Sequence, residues 1–309
     1  MDLQRYILEE WTDDYSRGKL GRREFLRRVA LMSGGVALAG PVLRSLGIIA
    51  TPEEVASAAA AAPAPTAQAP GVTVPVNDPA LVAQDVTFPS GAVQVLGYLA
   101  QPRSGGPFSG VLVIHENRGL LEHFKDVCRR FAKAGYTGLT VDLASPVGGT
   151  ARFSDPAEVP VFLGRTAPEQ HVALLKASVA YLRGLATVRR DRLGTVGFCF
   201  GGGMVWRLAT QNPDLRAAVP FYGPNPPLED VPRIRAAVLA IYGEQDRFIN
   251  PGIPAIREAL QRANIAHEIV VYPGAGHAFF NDTGSAYHPA SAQDAWRRTL
   301  AWFGRHLGG

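Results

Sequence analysis

The stretch Gly197-Phe198-Cys199-Phe200-Gly201-Gly202-Gly203 constrains the fold more than any other part of this chain. An apolar run from Leu193 to Phe198 leads into it, and a helical pattern from about Gly202 to Thr210 leads out. A strand that reverses into a helix across one residue leaves no room for side chains two positions before and after the apex. Gly197 and Gly201 meet that demand, in the pattern G-x-nucleophile-x-G. The apex residue, Cys199, is then lifted above a sheet edge at the positive end of a helix, which lowers a thiol's pKa. A free cysteine is ordinarily a small buried hydrophobe. The flanking glycines, strand and helix argue here for a nucleophile.

The rest of the chain supplies the framework such a turn needs. Gln84 to Phe88 and Val93 to Ala100 alternate around Ser90-Gly91 and predict an antiparallel hairpin. Continuous apolar runs at Gly110–His115, Thr137–Leu143, Leu193–Phe198, Ala217–Tyr222 and Ala236–Tyr242 predict strands buried on both faces. His267–Tyr272 is the last strand. Helical patterns at Leu121–Lys133, Pro168–Leu185, Pro254–Ala263 and Ala290–Leu307 lie between or after them. The alternation predicts an α/β fold: a mostly parallel sheet of about eight strands with helices on both faces. In such sheets the sites form at the carboxyl ends of strands.

Charge and cysteine content exclude other classes. The formal net charge is only +4, from 31 Lys+Arg against 27 Asp+Glu. No basic run longer than a pair occurs after residue 70, so the sequence carries no footprint for nucleic acid. Two cysteines are too few for a disulfide framework. Cys128 lies inside the predicted helix Leu121–Lys133 and is read as structural. His115, His123 and His277 lack the spacing of a metal site, so neither a metal nor a cofactor is expected.

A nucleophile needs a base and a group to orient it, following in the order nucleophile, acid, histidine. The strand Ala236–Tyr242 ends in Gly243-Glu244-Gln245-Asp246, and His267–Tyr272 ends in Pro273-Gly274-Ala275-Gly276-His277. Both loops belong on the rim that carries Cys199. His277 would take the thiol proton and pass it to the leaving group, while Asp246 would fix the imidazole tautomer. Glu244 is the alternative acid. An oxyanion would rest on the backbone N–H of Phe200 and on a second N–H from the loop His115-Glu116-Asn117-Arg118-Gly119.

The first seventy residues read differently. Gly21-Arg22-Arg23-Glu24-Phe25-Leu26-Arg27-Arg28 precedes a modest apolar stretch, Val29 to Leu43, and an Ala/Pro-rich tract, Ala56 to Pro70. That order is the order of a secretory signal, and the Arg-Arg-Glu-Phe-Leu core resembles a twin-arginine export signal. The apolar stretch is shorter than the ~20 residues of a membrane span. Residues 1–70 are therefore expected to be a leader and linker, not a folded domain, with cleavage between Ala58 and Ala69. Residues 71–309 would be the catalytic domain. The twin-arginine export machinery would be a partner, and the enzyme would work in the periplasm or outside the cell.

From about residue 85 to 305 the chain resembles the dienelactone hydrolase (carboxymethylenebutenolidase) family. The motifs that carry the resemblance are Val-Ile-His-Glu-Asn-Arg-Gly at 113–119, Gly-Phe-Cys-Phe-Gly-Gly at 197–202, Gly-Glu-Gln-Asp at 243–246 and Tyr-Pro-Gly-Ala-Gly-His-Ala-Phe at 272–279. The resemblance implies an α/β-hydrolase fold, a triad of Cys199, His277 and Asp246, and a small-molecule ester or lactone as substrate. It also implies that Glu116 takes the thiol proton when substrate arrives, and that Asn117 supplies the second oxyanion N–H. The arginines with which family members grip a substrate carboxylate are missing from His277-Ala278-Phe279-Phe280-Asn281 and from Asp142-Leu143-Ala144-Ser145-Pro146. Arg118 and Arg152 are the candidate replacements. Phe198, Phe200, Tyr222, Phe279 and Phe280 are the candidate aromatic lining. Two rival readings stand beside the hydrolase: a thioesterase or acyltransferase on the same triad, and an exported binding module without catalysis.

Overall fold

The protein is described here by a computed structural model that covers residues 2–61 and 73–308. These fall into two compact units, one of residues 2–61 with Phe153–Ala167, the other of 73–152 with 168–308. Labels below run in chain order.

The larger unit is built on one eight-stranded sheet in the order β1-β2-β4-β3-β5-β6-β7-β8. The strands are β1 (Leu81–Ser90), β2 (Val93–Pro102), β3 (Phe108–Ile114), β4 (Tyr136–Val141), β5 (Val188–Phe198), β6 (Leu215–Phe221), β7 (Ala237–Gly243) and β8 (His267–Tyr272). β1 and β2 form the expected hairpin, and β2 runs antiparallel to β4; every other neighbouring pair is parallel. This is the mostly parallel sheet that the alternating pattern predicts, and the α/β-hydrolase arrangement that the resemblance implies.

Burial explains why the central strands lack polar alternation. Val111, Leu112, Val113 and Ile114 on β3, and Val196 on β5, are fully inaccessible. A parallel strand covered on both faces must be apolar throughout. The covering helices include α5 (Glu122–Lys133), α7 (Pro168–Gly184), α8 (Phe200–Ala209), α9 (Ile253–Arg262) and α10 (Pro289–Phe303). α5 packs on β2 and β4, α8 on β5 and β6, and α10 on β6 and β7. The chain leaves β3 in one direction toward β4 and in the other toward β5. The gap between the ends of β3 and β5 is therefore the point where strand order reverses, the place where open α/β sheets bind ligands.

The smaller unit corrects the expectation that nothing before residue 71 is folded. Four helices form: α1 (Leu3–Ser16), α2 (Arg22–Ser33), α3 (Val36–Ser45) and α4 (Pro52–Ala59). Their boundaries follow local chemistry. The Asp2 side chain caps α1 through the Gln4 N–H, Gly34 ends α2 in the left-handed conformation, and Thr51 with Glu54 forms a capping box on α4. Tyr6, Ile7, Phe25, Val29 and Met32 are fully buried. The rest of the packing surface comes from the later segment, which holds α6 (Glu158–Arg165). A Cβ on Gly164 would come within 2.8 Å of Ile7 Cδ1, so that glycine permits close helix approach. Arg27, 4% exposed, bridges Glu24 and Asp155, and Arg165 donates to the carbonyls of Leu31 and Met32. Single-segment periodicity misses such a unit because part of its core, Ala157, Val159, Val161 and Leu163, lies far downstream in the chain.

Among the described residues no single helix is long and apolar enough to cross a membrane. The bent pair Arg22–Ser33 and Val36–Ser45 passes that test only when taken together, and the two bend by 108°. Most of the Ala/Pro tract, with most of the expected cleavage window, lies outside the described residues.

Candidate active site

Cys199 sits between β5 and α8 with φ 56° and ψ −119°, as the first backbone outlier the chain encounters on this rim. A non-glycine residue in that region costs about 1–3 kcal/mol and persists only where its surroundings enforce it. Here they do. A Cβ on Gly197 would lie 2.4 Å from the Gly201 carbonyl oxygen, and one on Gly201 would lie 2.4 and 2.5 Å from the carbonyl oxygens of Ile114 and His115. Backbone, not flexible side chain, blocks both positions. The second contact presses the start of α8 against the end of β3. It places the backbone of Phe200 beside the 115–117 loop, where the two proposed oxyanion donors must meet.

The loops after β7 and β8 are joined by the same device. A Cβ on Gly243 would lie 2.6 Å from the carbonyl oxygens of both Ala275 and Gly276. The N–H groups of Glu244 and Gln245 donate to the carbonyls of Tyr272 and Ala275, both at 2.9 Å. Asp246 and His277 converge as a result: His277 Nδ1 and Asp246 Oδ2 are 2.6 Å apart. The other carboxylate oxygen accepts the N–H groups of Phe248 and Ile249 at 3.3 and 3.1 Å. Glu244, the alternative acid, is engaged elsewhere, accepting the Gly274 N–H at 2.9 Å. Cys199 Sγ lies within 4.8 Å of a ring nitrogen of His277. Because Nδ1 is taken by Asp246, Nε2 is the nitrogen left to serve the thiol.

Electrostatics follow from burial and pairing. Burial works against a charged His277, but the Asp246 charge and hydrogen bond, aided by Cys199, lift its pKa well above the usual imidazole value. Burial likewise opposes the Asp246 carboxylate, and the His277 charge with the Phe248 and Ile249 N–H groups outweighs it, holding the carboxyl below its usual range. Each charge thus favours the other, the imidazolium with the carboxylate.

Glu116 stands at the opposite side of the rim, after β3. Its Oε1 faces the Tyr222 hydroxyl at 3.5 Å, and its Oε2 accepts from Asn281 Nδ2 at 2.9 Å. Asn117 follows it and is buried. Tyr222 has a positive φ of 37° and is fully buried, with its ring 5.0 Å from that of His277. Burial, with Glu116 and Cys199 nearby, pushes its phenol well above the usual value, so it stays a neutral donor.

The sequence reading missed how these loops are tied together. His115 is fully buried; its Nε2 accepts the Leu143 N–H at 3.1 Å, which leaves Nδ1 as the donor to the Glu116 carbonyl at 2.6 Å. Asp142 holds the Thr150 N–H and hydroxyl, and the Thr150 hydroxyl accepts the Leu120 N–H. The loops after β3 and β4 are thus cross-linked by hydrogen bonds through a buried imidazole and the Asp142 carboxylate. The three histidines considered for a metal have separate settings: His115 in this link, His277 on Asp246, and His123 2.9 Å from Asp282 Oδ1. A polar residue just past a strand end was the available signal for His115.

The expected substrate contacts fare unevenly. Arg118 and Arg152 are exposed, and neither side chain has a polar partner among the described residues. Phe198 stacks on Phe280 at 4.9 Å and packs on Phe221 at 4.8 Å, while Phe279 packs on Tyr222 and Tyr272. Phe200 meets the His171 ring edge-on at 5.4 Å. Those rings are buried and support the rim from beneath; Tyr222 is the member that also touches a polar group of the site, Glu116. Cys128 is fully buried in α5, and burial pushes its thiol well above the ordinary value, in keeping with a structural role.

Comparison with known proteins agrees with this architecture. A family model described as "Dienelactone hydrolase family" matches residues 95–307. A protein provisionally named carboxymethylenebutenolidase from Methylorubrum extorquens is 35% identical over 243 residues, 75% of this chain and 84% of its own length. One from Escherichia coli K12, provisionally given the same name, is 36% identical over 247 residues, covering 76% and 91%. A crystal structure from Klebsiella pneumoniae, provisionally named dienelactone hydrolase, superimposes with a TM-score of 0.68 at 34% identity, over 73% of this chain and 99% of that one. The fold, the motifs and these matches agree, and the chain belongs to the dienelactone hydrolase family.

Proposed function

We propose that this protein hydrolyses a carboxylic ester or lactone through an acyl-thioester on Cys199, with His277 and Asp246 completing a triad. One observation carries the reading: the imidazole of His277 is bound at Nδ1 by Asp246 at 2.6 Å while Cys199 Sγ lies within 4.8 Å of the same ring. Membership of a hydrolase family supports the reaction type.

The charge states support a division of labour. The Asp246 charge and hydrogen bond favour the protonated imidazole, so in this reading His277 gives a proton first. Glu116 takes the proton from Cys199 Sγ, breaking S–H and forming O–H. The thiolate attacks the carbonyl carbon and the π pair moves to oxygen, received by the N–H groups of Phe200 and Asn117. Collapse breaks the C–O bond to the leaving alkoxide, which takes the His277 proton and leaves as alcohol. Neutral His277 then accepts a proton from water as its oxygen attacks the thioester. The departing thiolate recovers its proton from Glu116, closing the cycle.

The test is a panel of aryl esters, lactones and acyl-thioesters, with and without an acceptor alcohol, run on the native protein and Cys199→Ala. The reading predicts ester or lactone turnover that Cys199→Ala abolishes. Preference for thioesters, or acyl transfer to the alcohol, would replace it with the thioesterase or acyltransferase reading. No Cys199-dependent turnover would leave a binding module.

We propose further that the protein is exported by the twin-arginine route. The support is the order Arg22-Arg23-Glu24-Phe25-Leu26, apolar stretch and Ala/Pro tract. Phe25 and Leu26 are buried in the smaller unit, so α2 must open for an export receptor to read it. Cell fractionation with N-terminal sequencing tests this. A processed chain outside the cytoplasm, beginning between residues 59 and 70, agrees; an intact cytoplasmic chain contradicts.

A further inference from the structure

Glu116 differs from Asp246 in what surrounds it. Its two recorded hydrogen-bond partners, the Tyr222 hydroxyl and the Asn281 amide, are both uncharged. The Tyr222 contact is long at 3.5 Å, so Asn281, at 2.9 Å, is the stronger of the two.

The orientation of the Asn281 amide is fixed by chemistry. Its Oδ1 receives the Thr283 N–H at 3.0 Å and the Thr283 hydroxyl at 2.6 Å. A backbone N–H can only donate, so the oxygen must face Thr283 and the NH2 must face Glu116. The turn that carries Asn281 is anchored one residue on. Asp282 pairs with Arg130 at 2.5 Å and faces His123 at 2.9 Å, both on α5. Burial opposes that carboxylate, and His123 and Arg130 together hold its pKa below the usual range. An ion-paired aspartate thus fixes the turn, while the neighbouring neutral amide reaches into the site.

We propose that Asn281 is a positioning residue for the reaction: its amide, a neutral donor, fixes the orientation of the Glu116 carboxylate that is to accept the Cys199 thiol proton. This rests on the role given to Glu116 above. The physical point is graded stabilisation. A hydrogen bond to the charged form favours that form, but less than a cation in the same place would. The Glu116 carboxylate meets the Tyr222 hydroxyl after β6 and the Asn281 amide after β8; Cys199 and the His277 ring lie near the same Tyr222, and His115, which the Asp142 charge also reaches, precedes Glu116 in the chain. Asn281 is the donor among them that no other role claims.

The test uses the nearly isosteric Asn281→Asp in the full chain. A second carboxylate at hydrogen-bond distance forces the two acids to share a proton, which raises the pH at which Glu116 becomes a base. Two profiles are read against pH: kcat/KM for p-nitrophenyl acetate, and the iodoacetamide alkylation rate of the Cys199 peptide by mass spectrometry. The alkylation arm needs no natural substrate. The expected result is an acid limb moved upward by about one pH unit or more in both profiles. Asn281→Ala should move it the same way by less. A merely structural role would lower thermal stability and leave the limb where it was. Should Asn281→Asp not fold, Asn281→Ala carries the test alone, and an acid limb left unmoved in both of its profiles overturns the proposal. Glu116→Gln separates the two levels of the argument. If it removes the limb while the Asn281 variants do not move it, the inference about Asn281 fails and the role of Glu116 stands. If it changes neither profile, both fail.

Discussion

The two sides of the Cys199 thiol are built on different principles. On the His277 side, a buried carboxylate faces an imidazole at 2.6 Å and each favours the charge on the other. On the Glu116 side, the carboxylate's hydrogen-bond partners among the described residues are a phenol and an amide. A charged pair holds its protonation state against change; neutral donors orient a group while leaving its proton exchangeable. The difference fits the two roles proposed for these groups: one side would deliver a proton to the leaving group, and the other would take one from sulfur.

The largest expected effect removes the charge from the first side. Asp246→Asn leaves the shape but not the carboxylate, and should lower kcat on the order of 10³-fold. NMR titration of His277 should show its pKa falling toward the ordinary imidazole value. Stability should respond at both ends of the pH range. The depressed Asp246 pKa contributes stability that is present above its unfolded value and lost as pH falls through the folded one. The raised His277 pKa contributes stability that is present below its unfolded value and lost as pH rises through the folded one. The stability gap between native protein and Asp246→Asn should therefore be widest between those limits and shrink on either side, as read by urea unfolding across pH.

A smaller effect comes from separating the two strand ends without touching a charge. Gly243→Ala puts a methyl 2.6 Å from two backbone oxygens, so the β7 and β8 loops must part. A cost of about 1–3 kcal/mol is expected, with a lower kcat and a weakened His277 titration shift. Unchanged activity and titration would show that this glycine does not bring Asp246 to His277. The smallest effect belongs to the second side. Tyr222→Phe removes a 3.5 Å contact and should lower kcat/KM by about two- to fivefold, with the rings still packed. A larger loss would make the phenol, not Asn281, the main holder of Glu116.

Legibility in the sequence tracks how local the cause is. The strand-end positions of Cys199, Asp246 and His277 were legible because each follows a strand beside glycines whose need is steric and near in sequence. The strands were legible because β3, β5, β6 and β7 are buried on both faces and therefore continuously apolar. Asn281 and His115 were not read as parts of the site. Their partners, Glu116 and Leu143, lie 165 and 28 residues away, and nothing local marks an amide or a neutral imidazole as bound. The smaller unit was missed for the same reason. Leu3, Tyr6, Ile7 and Trp11 do recur at helical spacing in α1, but the surface of Phe153–Ala167 that meets them is remote in the chain. There the leader-like composition concealed a helical signal that was present.

The most direct measurement of the account is intact and peptide mass spectrometry of His277→Gln quenched during reaction with p-nitrophenyl acetate. The leaving group needs no proton, so acylation can proceed with Glu116 as base, while hydrolysis of the thioester lacks the imidazole that activates water. The account predicts a single acetyl group accumulating on the peptide that contains Cys199. An unmodified Cys199 peptide under conditions where the native protein turns the ester over, or acetyl on another residue, would contradict it.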